Sequence, residues 1–457
     1  MTPAMTMAIY AVGLVSSKLI ALGLQPFVTQ WLGADQFGQL DVLVTFGSLL
    51  TLIMAFGISD AMYRFAHDQA DQAAFFRCTF GLILLIASVI MLLGQAFLSE
   101  LQQILPGAPS SFAVRCLLLT LLLNTLCCVP LAILRIRNLA SQFVLAQVAF
   151  ALVQGLGIIF LAPQYGVDGI MAAGLVAQIV QIITLAKHFP APKLGLSALL
   201  LKYGRAITLS GILSFLVMGV ERWAIADTLG LAALAPYAIA AQWAIAASLL
   251  LEPFGMWWFP KRFGLLGTQA QRQQAATLSV LGCQLGCLVA AGIIIVGSRF
   301  LLLWLPAEFH QSAQILPLLG ITVMFKHAST LLNIGCYHQK DGNSIMAIGM
   351  ISAACAIALL VFVLPRFGLY PFILAGIGLQ LLRVSLFYLW SQHYLRLPYP
   401  LPRLAVSYAL VALILVSHIH FKVAYEIAFS LLLLVQVGWP WLRPKLTGWK
   451  KAAEANG

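Results

Sequence analysis

The stretch PQYGVDGIMAAGLVAQ (residues 163–178) returns 202 residues later as PRFGLYPFILAGIGLQ (residues 365–380). Pro163, Gly166, Ala173, Gly174 and Gln178 fall on Pro365, Gly368, Ala375, Gly376 and Gln380. Identities at one fixed offset, flanking the same predicted turn, mark a duplicated unit. Earlier in each copy the offset is 197: Leu32-Gly33 meets Leu229-Gly230, and Arg64 meets Lys261. Each copy holds six apolar spans, so both insert with the same orientation, related by an axis along the membrane normal. Parallel repeats of this kind build transporters whose two lobes enclose a cavity.

Composition requires the membrane. Of 457 residues, 61% are hydrophobic and 9% charged, against about 25% charged in a soluble domain. Mean hydropathy is +0.96, and a water-facing surface cannot be covered with so few charges. The apolar runs are long and continuous, which excludes a β-barrel's two-residue alternation. At about 20 residues per crossing, fourteen helical spans fit. They run 7–32, 39–59, 79–99, 112–134, 142–162, 169–187, 207–227, 237–259, 276–298, 313–334, 344–364, 371–391, 404–420 and 425–442. The expected fold is therefore all-α: a six-helix lobe (1–190), a cytoplasmic linker (191–206), a second six-helix lobe (207–392), an extra helix pair (404–442) and a basic tail (443–457).

The net charge of +12 would point a soluble chain toward nucleic acid. Here it sits in short loops and sets topology. Of 26 Lys and Arg, 18 fall on one set of loops and the tail, among them Lys340, and 4 on the other: Arg115, Arg299, Arg366 and Lys422. Both termini are therefore expected in the cytoplasm. The first apolar run is too long for a cleaved leader. The eight cysteines form no CxxC pair, so they read as packing residues, with no metal or other cofactor expected. There is no GxxxxGK[ST], HExxH or GxSxG motif, and no large loop to carry catalytic groups, so an enzyme is not expected.

The remaining four cations lie inside spans, where each costs several kcal/mol and marks a functional position. They are Lys18, Arg222, Lys326 and Arg383. The repeat pairs Arg222 with Gln25, Lys326 with Asn124 and Arg383 with Gln181, whereas Lys18 meets Phe215. Positions polar in both copies fit a shared hydrated lumen better than a lipid face, and a net-positive lumen suits an anion such as a diphosphate. Gln380 joins this polar set. Arg222 can instead form a structural ion pair with Glu221 or Asp227. Asp60 and Arg64, four apart at a helix end, read as a helix-end pair or gate contact, and Glu252 as an ion-coupling group or a helix anchor. His418 and His420, two apart, point to different faces.

The segment Gly13 to Arg64, with Ser16-Ser17, Pro26, Leu32-Gly33-Ala34-Asp35-Gln36-Phe37-Gly38 and Gly57-Ile58-Ser59-Asp60-Ala61, resembles the N-terminal signature of the polysaccharide transporters. These are the Wzx-type flippases of the multidrug/oligosaccharidyl-lipid/polysaccharide exporter superfamily. Glu221 to Asp227, Leu229-Gly230 and Tyr237 to Ala240 are similar to that family's corresponding helix and turn. The resemblance implies two six-helix lobes with extra C-terminal helices in a bacterial inner membrane. It implies movement of an undecaprenyl-diphosphate-linked oligosaccharide for O-antigen, capsule or exopolysaccharide synthesis. It further implies a polysaccharide polymerase and chain-length regulator as partners, and H+ or Na+ as counter-ion. The alternatives are a drug antiporter of the MATE type, for which lumen acids would be expected, and a membrane-embedded glycan polymerase or ligase, for which the outer loops are short.

Overall fold

The computed structural model describes residues 3–66, 71–193, 195, 198–259, 261–338, 343–420 and 422–454. Within them the chain is helical: α1 (Pro3–Ala55), α2 (Ile58–Phe65), α3 (Gln72–Ala96), α4 (Leu98–Ile104), α5 (Ser111–Ile136), α6 (Ala140–Leu185), α7 (Ala198–Met218), α8 (Val220–Leu229), α9 (Leu231–Ser248) and α10 (Glu252–Trp258). There follow α11 (Gln269–Gly292), α12 (Ser298–Trp304), α13 (Gln311–Leu331), α14 (Ile334–His338), α15 (Asn343–Ala358), α16 (Leu364–Phe367), α17 (Leu369–Tyr394), α18 (Leu401–Ile419) and α19 (Val423–Glu454).

Ten of these stretches are long and apolar enough to cross a membrane. Two of the ten, in α1 and α6, are double. Each carries one non-helical residue, Gly33 (φ 67, ψ 177) and Gly166 (φ 56, ψ −131). A reversal there turns each continuous helix into two crossings. The apolar start of α19 (Val423–Gly438) is a shorter apolar helix, so the described residues come roughly to the fourteen spans expected.

The duplication is written into the backbone. Gly33 and Gly166 correspond, at the two sequence offsets, to Gly230 (φ 89, ψ 165) and Gly368 (φ 80, ψ −167). Positive φ with extended ψ is a region that side-chain-bearing residues essentially do not enter. The same turn thus recurs at the same place in each copy, and glycine is what permits it.

The chain divides into two compact units, Met1–Ala235 and Pro236–Gly457. In the first, α7 and α8 pack with α1 and α2, closer to the N-terminus than the repeat alone indicates. Ile58, Met62, Phe76, Phe80, Ile83 and Leu200 form part of its core. Gly38 lets α1 touch the start of α9, since a Cβ there would collide with the Leu231 carbonyl. In the second unit Trp258, fully buried, packs with Cys283, Leu331, Val384 and Tyr399. Cys287, Ile294, Met324, Val411, Ile414 and Leu433 form another cluster. It fastens α18 and α19 to α11 and α13. Leucines on the opposite faces, such as Leu92 and Leu303, are exposed, as expected of helices whose outer surface meets lipid.

Candidate functional site

Polar groups inside apolar helices fall into two sorts here, those already bonded to other helices and those open to a cavity. Arg222, on the first turn of α8, belongs to the first sort. Its Nη1 lies 2.5 Å from Asp41 Oδ1, and the side chains are 14% and 1% exposed. Trp223 beside it donates from Nε1 to the Val42 carbonyl at 3.4 Å. The sequence reading offered Glu221 and Asp227 as partners for Arg222, and the structure places Asp41 there. Asp41 stands three residues into an apolar span and was legible as an intramembrane acid. Glu221 is partly buried and Asp227 exposed.

Gln181 is also engaged. Its Nε2 donates to Gln147 Oε1 at 2.6 Å, and its Oε1 accepts from Gln178 Nε2 at 2.7 Å. This chain of buried amides joins the two halves of α6. Gln25 is buried. Asn124 is partly buried on α5 and its carbonyl lies 3.6 Å from the Cys128 sulfur.

The second unit holds a cavity with such groups on its wall. A cavity of about 220 Å³ brings Glu252, on the first turn of α10, together with Lys326 and His327 of α13, with Ser248 and Thr330 on its wall. Two of the sequence-derived candidates therefore share one cavity. His327 was not anticipated, and its Nε2 is buried with no hydrogen-bond partner among the described residues. On α17, Gln380 and Arg383 lie one turn apart and so share a helix face. Gln380 Oε1 and Arg383 Nε are likewise buried without a partner among the described residues. The Arg383 guanidinium stands 5.7 Å from the Phe387 ring centroid. Asp60 is exposed on α2. The side chains of Lys18 and Arg64, and all of Lys340, lie outside the described residues.

A third arrangement escaped the sequence reading. Glu426 of α19, fully buried, accepts from Arg299 Nη2 at 2.7 Å, and His418 Nδ1 lies 3.4 Å from its other oxygen. Arg299 also donates to the Ile295 carbonyl at 2.9 Å, inside the π-helical turn Ile293–Gly297. A π-turn shifts the backbone register and releases carbonyls from the ladder, which gives the guanidinium its acceptor.

Residues 27–253 match the family described as "Polysaccharide biosynthesis protein". No curated protein matches the sequence significantly. Among solved structures, the chain is similar to "Lipid II flippase MurJ, inward closed conformation". The TM-score is 0.72 at 12% identity, over 95% of this chain and 100% of that one. It is also similar to an inward-facing multidrug-resistance MATE family transporter of the MOP superfamily. There the TM-score is 0.59 at 14% identity, over 84% of this chain and 93% of that one. At such identities the likeness is one of fold.

Proposed function

We propose that the chain is a flippase for an undecaprenyl-diphosphate-linked oligosaccharide, a reading supported by the match of residues 27–253 to a polysaccharide biosynthesis family and by the likeness in fold to a lipid II flippase. In this reading it works by alternating access in a bacterial inner membrane, with both termini cytoplasmic. The observation that carries the reading is the state of its intramembrane charges. Asp41 and Glu426, the buried acids among the described residues, are each tied to an arginine. A drug antiporter of this fold would need carboxylates free to hold an organic cation. On α17 the Arg383 guanidinium has a buried Nε with no acceptor among the described residues, and Lys326 stands on the wall of the α13 cavity, which it shares with Glu252. Cations so placed suit a diphosphate.

Within the second unit, Lys326 and Arg383 would attract the anionic head. Gln25, Asn124, Gln181 and Gln380 form the polar set of the repeat, with Gln181 held by its bonds to Gln147 and Gln178. Gln380, whose carbonyl oxygen is open, is the most directly placed for a glycan hydroxyl. Glu252, in the cavity with Lys326, is the group through which an H+ or Na+ gradient would act, because a cation bound there cancels the carboxylate's repulsion of the anion.

The test is surface glycan in a deletion strain complemented with wild type or with Lys326→Ala or Arg383→Ala, at matched protein levels. Loss of surface polysaccharide, with lipid-linked units retained in the cytoplasmic leaflet, supports the reading. Normal surface glycan in the full deletion together with new sensitivity to cationic drugs overturns it in favour of the antiporter.

A further inference from the structure

The segments 269–274 (QAQRQQ) and 396–403 (RLPYPLPR) contain three arginines, three glutamines beyond Gln269 itself, and no acid. The structure brings them together at one end of the second unit. Arg272 and Gln269 from the first turn of α11 line an open cavity of about 530 Å³ with Tyr388, Gln392, Arg396 and Tyr399. No carboxylate lines it. Neither arginine has an acidic partner among the described residues.

The bonds that shape the cavity leave its cationic groups available. Gln392 holds the loop, donating to the Leu397 carbonyl at 2.8 Å and accepting from the Leu397 N–H at 3.0 Å. Arg272 donates from Nε to the Leu266 carbonyl at 2.9 Å, which fixes the guanidinium plane and leaves its outer nitrogens for a ligand. The start of α11 is fixed as well, by a capping box between Thr268 and Gln271. Its positive dipole end therefore lies beside the cavity. Two guanidinium forks, amide donors and a helix N-terminus around a space with no negative charge have the chemistry that binds phosphate.

We propose that this cavity is a phosphate-recognition site, distinct from the intramembrane cations, for a phosphomonoester or diphosphate group presented at the membrane surface. A topology signal would need only positive charge, which lysine supplies equally. Bidentate recognition of a phosphate uses the planar fork of arginine, where lysine offers only a point charge. The inference does not rest on the identity of the transported glycan.

The test uses the purified full chain in neutral detergent, with thermal unfolding followed at constant ionic strength. The probes are inorganic pyrophosphate, short-chain phosphatidic acid and, as control, short-chain phosphatidylcholine. The expected result is a rise in Tm with phosphatidic acid and none with phosphatidylcholine. A matching rise with pyrophosphate identifies a site for free phosphates as well as headgroups; a rise with lipid alone identifies a headgroup site. In Arg272→Gln/Arg396→Gln the apparent affinity falls about tenfold or more, and in Arg272→Lys/Arg396→Lys it falls part of the way. Arg396→Gln alone, which leaves the Arg272–Leu266 bond in place, serves if the double variant unfolds. Arg366→Gln leaves binding unchanged. No rise with either phosphate probe, or a rise that survives the glutamine substitutions, overturns the proposal. The survival outcome would assign binding to cations elsewhere.

Discussion

Asp41 and Arg222, 181 residues apart in sequence, form an ion pair of 2.5 Å whose carboxylate is almost wholly buried. It ties the second half of α1 to α8 within one compact unit. Removing one member of a buried pair strands the other, at a cost of about 3–5 kcal/mol, whereas replacing both with apolar groups can be neutral. Asp41→Asn and Arg222→Gln should each lower Tm of the purified protein sharply. Asp41→Leu combined with Arg222→Met should recover most of the loss. Additive losses in that double variant would show that the two groups do not act as a pair.

The same logic ranks a second pair. The Arg299 side chain is 39% exposed, against 14% for Arg222. A stranded Arg299 can reach solvent or headgroups, so Glu426→Gln should cost less stability than Asp41→Asn. Thermal unfolding of the two variants side by side decides the order.

Two of the turn glycines give a test free of packing effects. A Cβ at Gly230 or Gly368 would meet nothing within 4 Å, so substitution there is penalised by backbone conformation alone. Gly230→Ala and Gly368→Ala should each cost about 1–3 kcal/mol. Gly349, which also has open space but lies inside α15, should be neutral or stabilised by up to about 1 kcal/mol on Gly349→Ala. Equal effects at all three positions would contradict the backbone account.

Lys326 supplies the functional prediction. Lys326→Ala should reduce glycan export about tenfold or more at equal protein level, with Lys326→Arg retaining a measurable share. Val323→Ala, on the same cavity wall, should leave export near wild type. Export assays on the three variants distinguish a charge requirement from a shape requirement.

Gln181 gives the complementary case. Both ends of its amide are bonded, to Gln147 and Gln178. Gln181→Leu should therefore lower Tm by leaving those partners unsatisfied, at about 1–3 kcal/mol. Export per folded molecule should change less than it does in Lys326→Ala, as an export assay normalised to folded protein would show.

Hydropathy, repeat and turn chemistry made the architecture legible from the chain. Each apolar run is long enough to span, and solvent-free backbone within a run has no choice but helix. Gly33 and Gly230, and Gly166 and Gly368, were matched by offset alone, and each pair adopts one unusual conformation. Lys326 and Glu252 were legible as charges within apolar spans, but that they line one cavity was not, since it depends on how α10 and α13 pack.

Partnership was not legible. Asp41 meets Arg222, Glu426 meets Arg299 and His418, and Arg272 joins Arg396, each across a distance in sequence that carries no local signal. The sequence by itself determined how many times this chain crosses the membrane, where it turns and that it is duplicated, since each depends on a window of about 20 residues and its hydrophobic free energy. Only the tertiary structure decided which charges are neutralised and which remain to meet a ligand. Pairing energy depends on separations of a few ångströms, and those are set by helix rotation and packing rather than by neighbours in the chain.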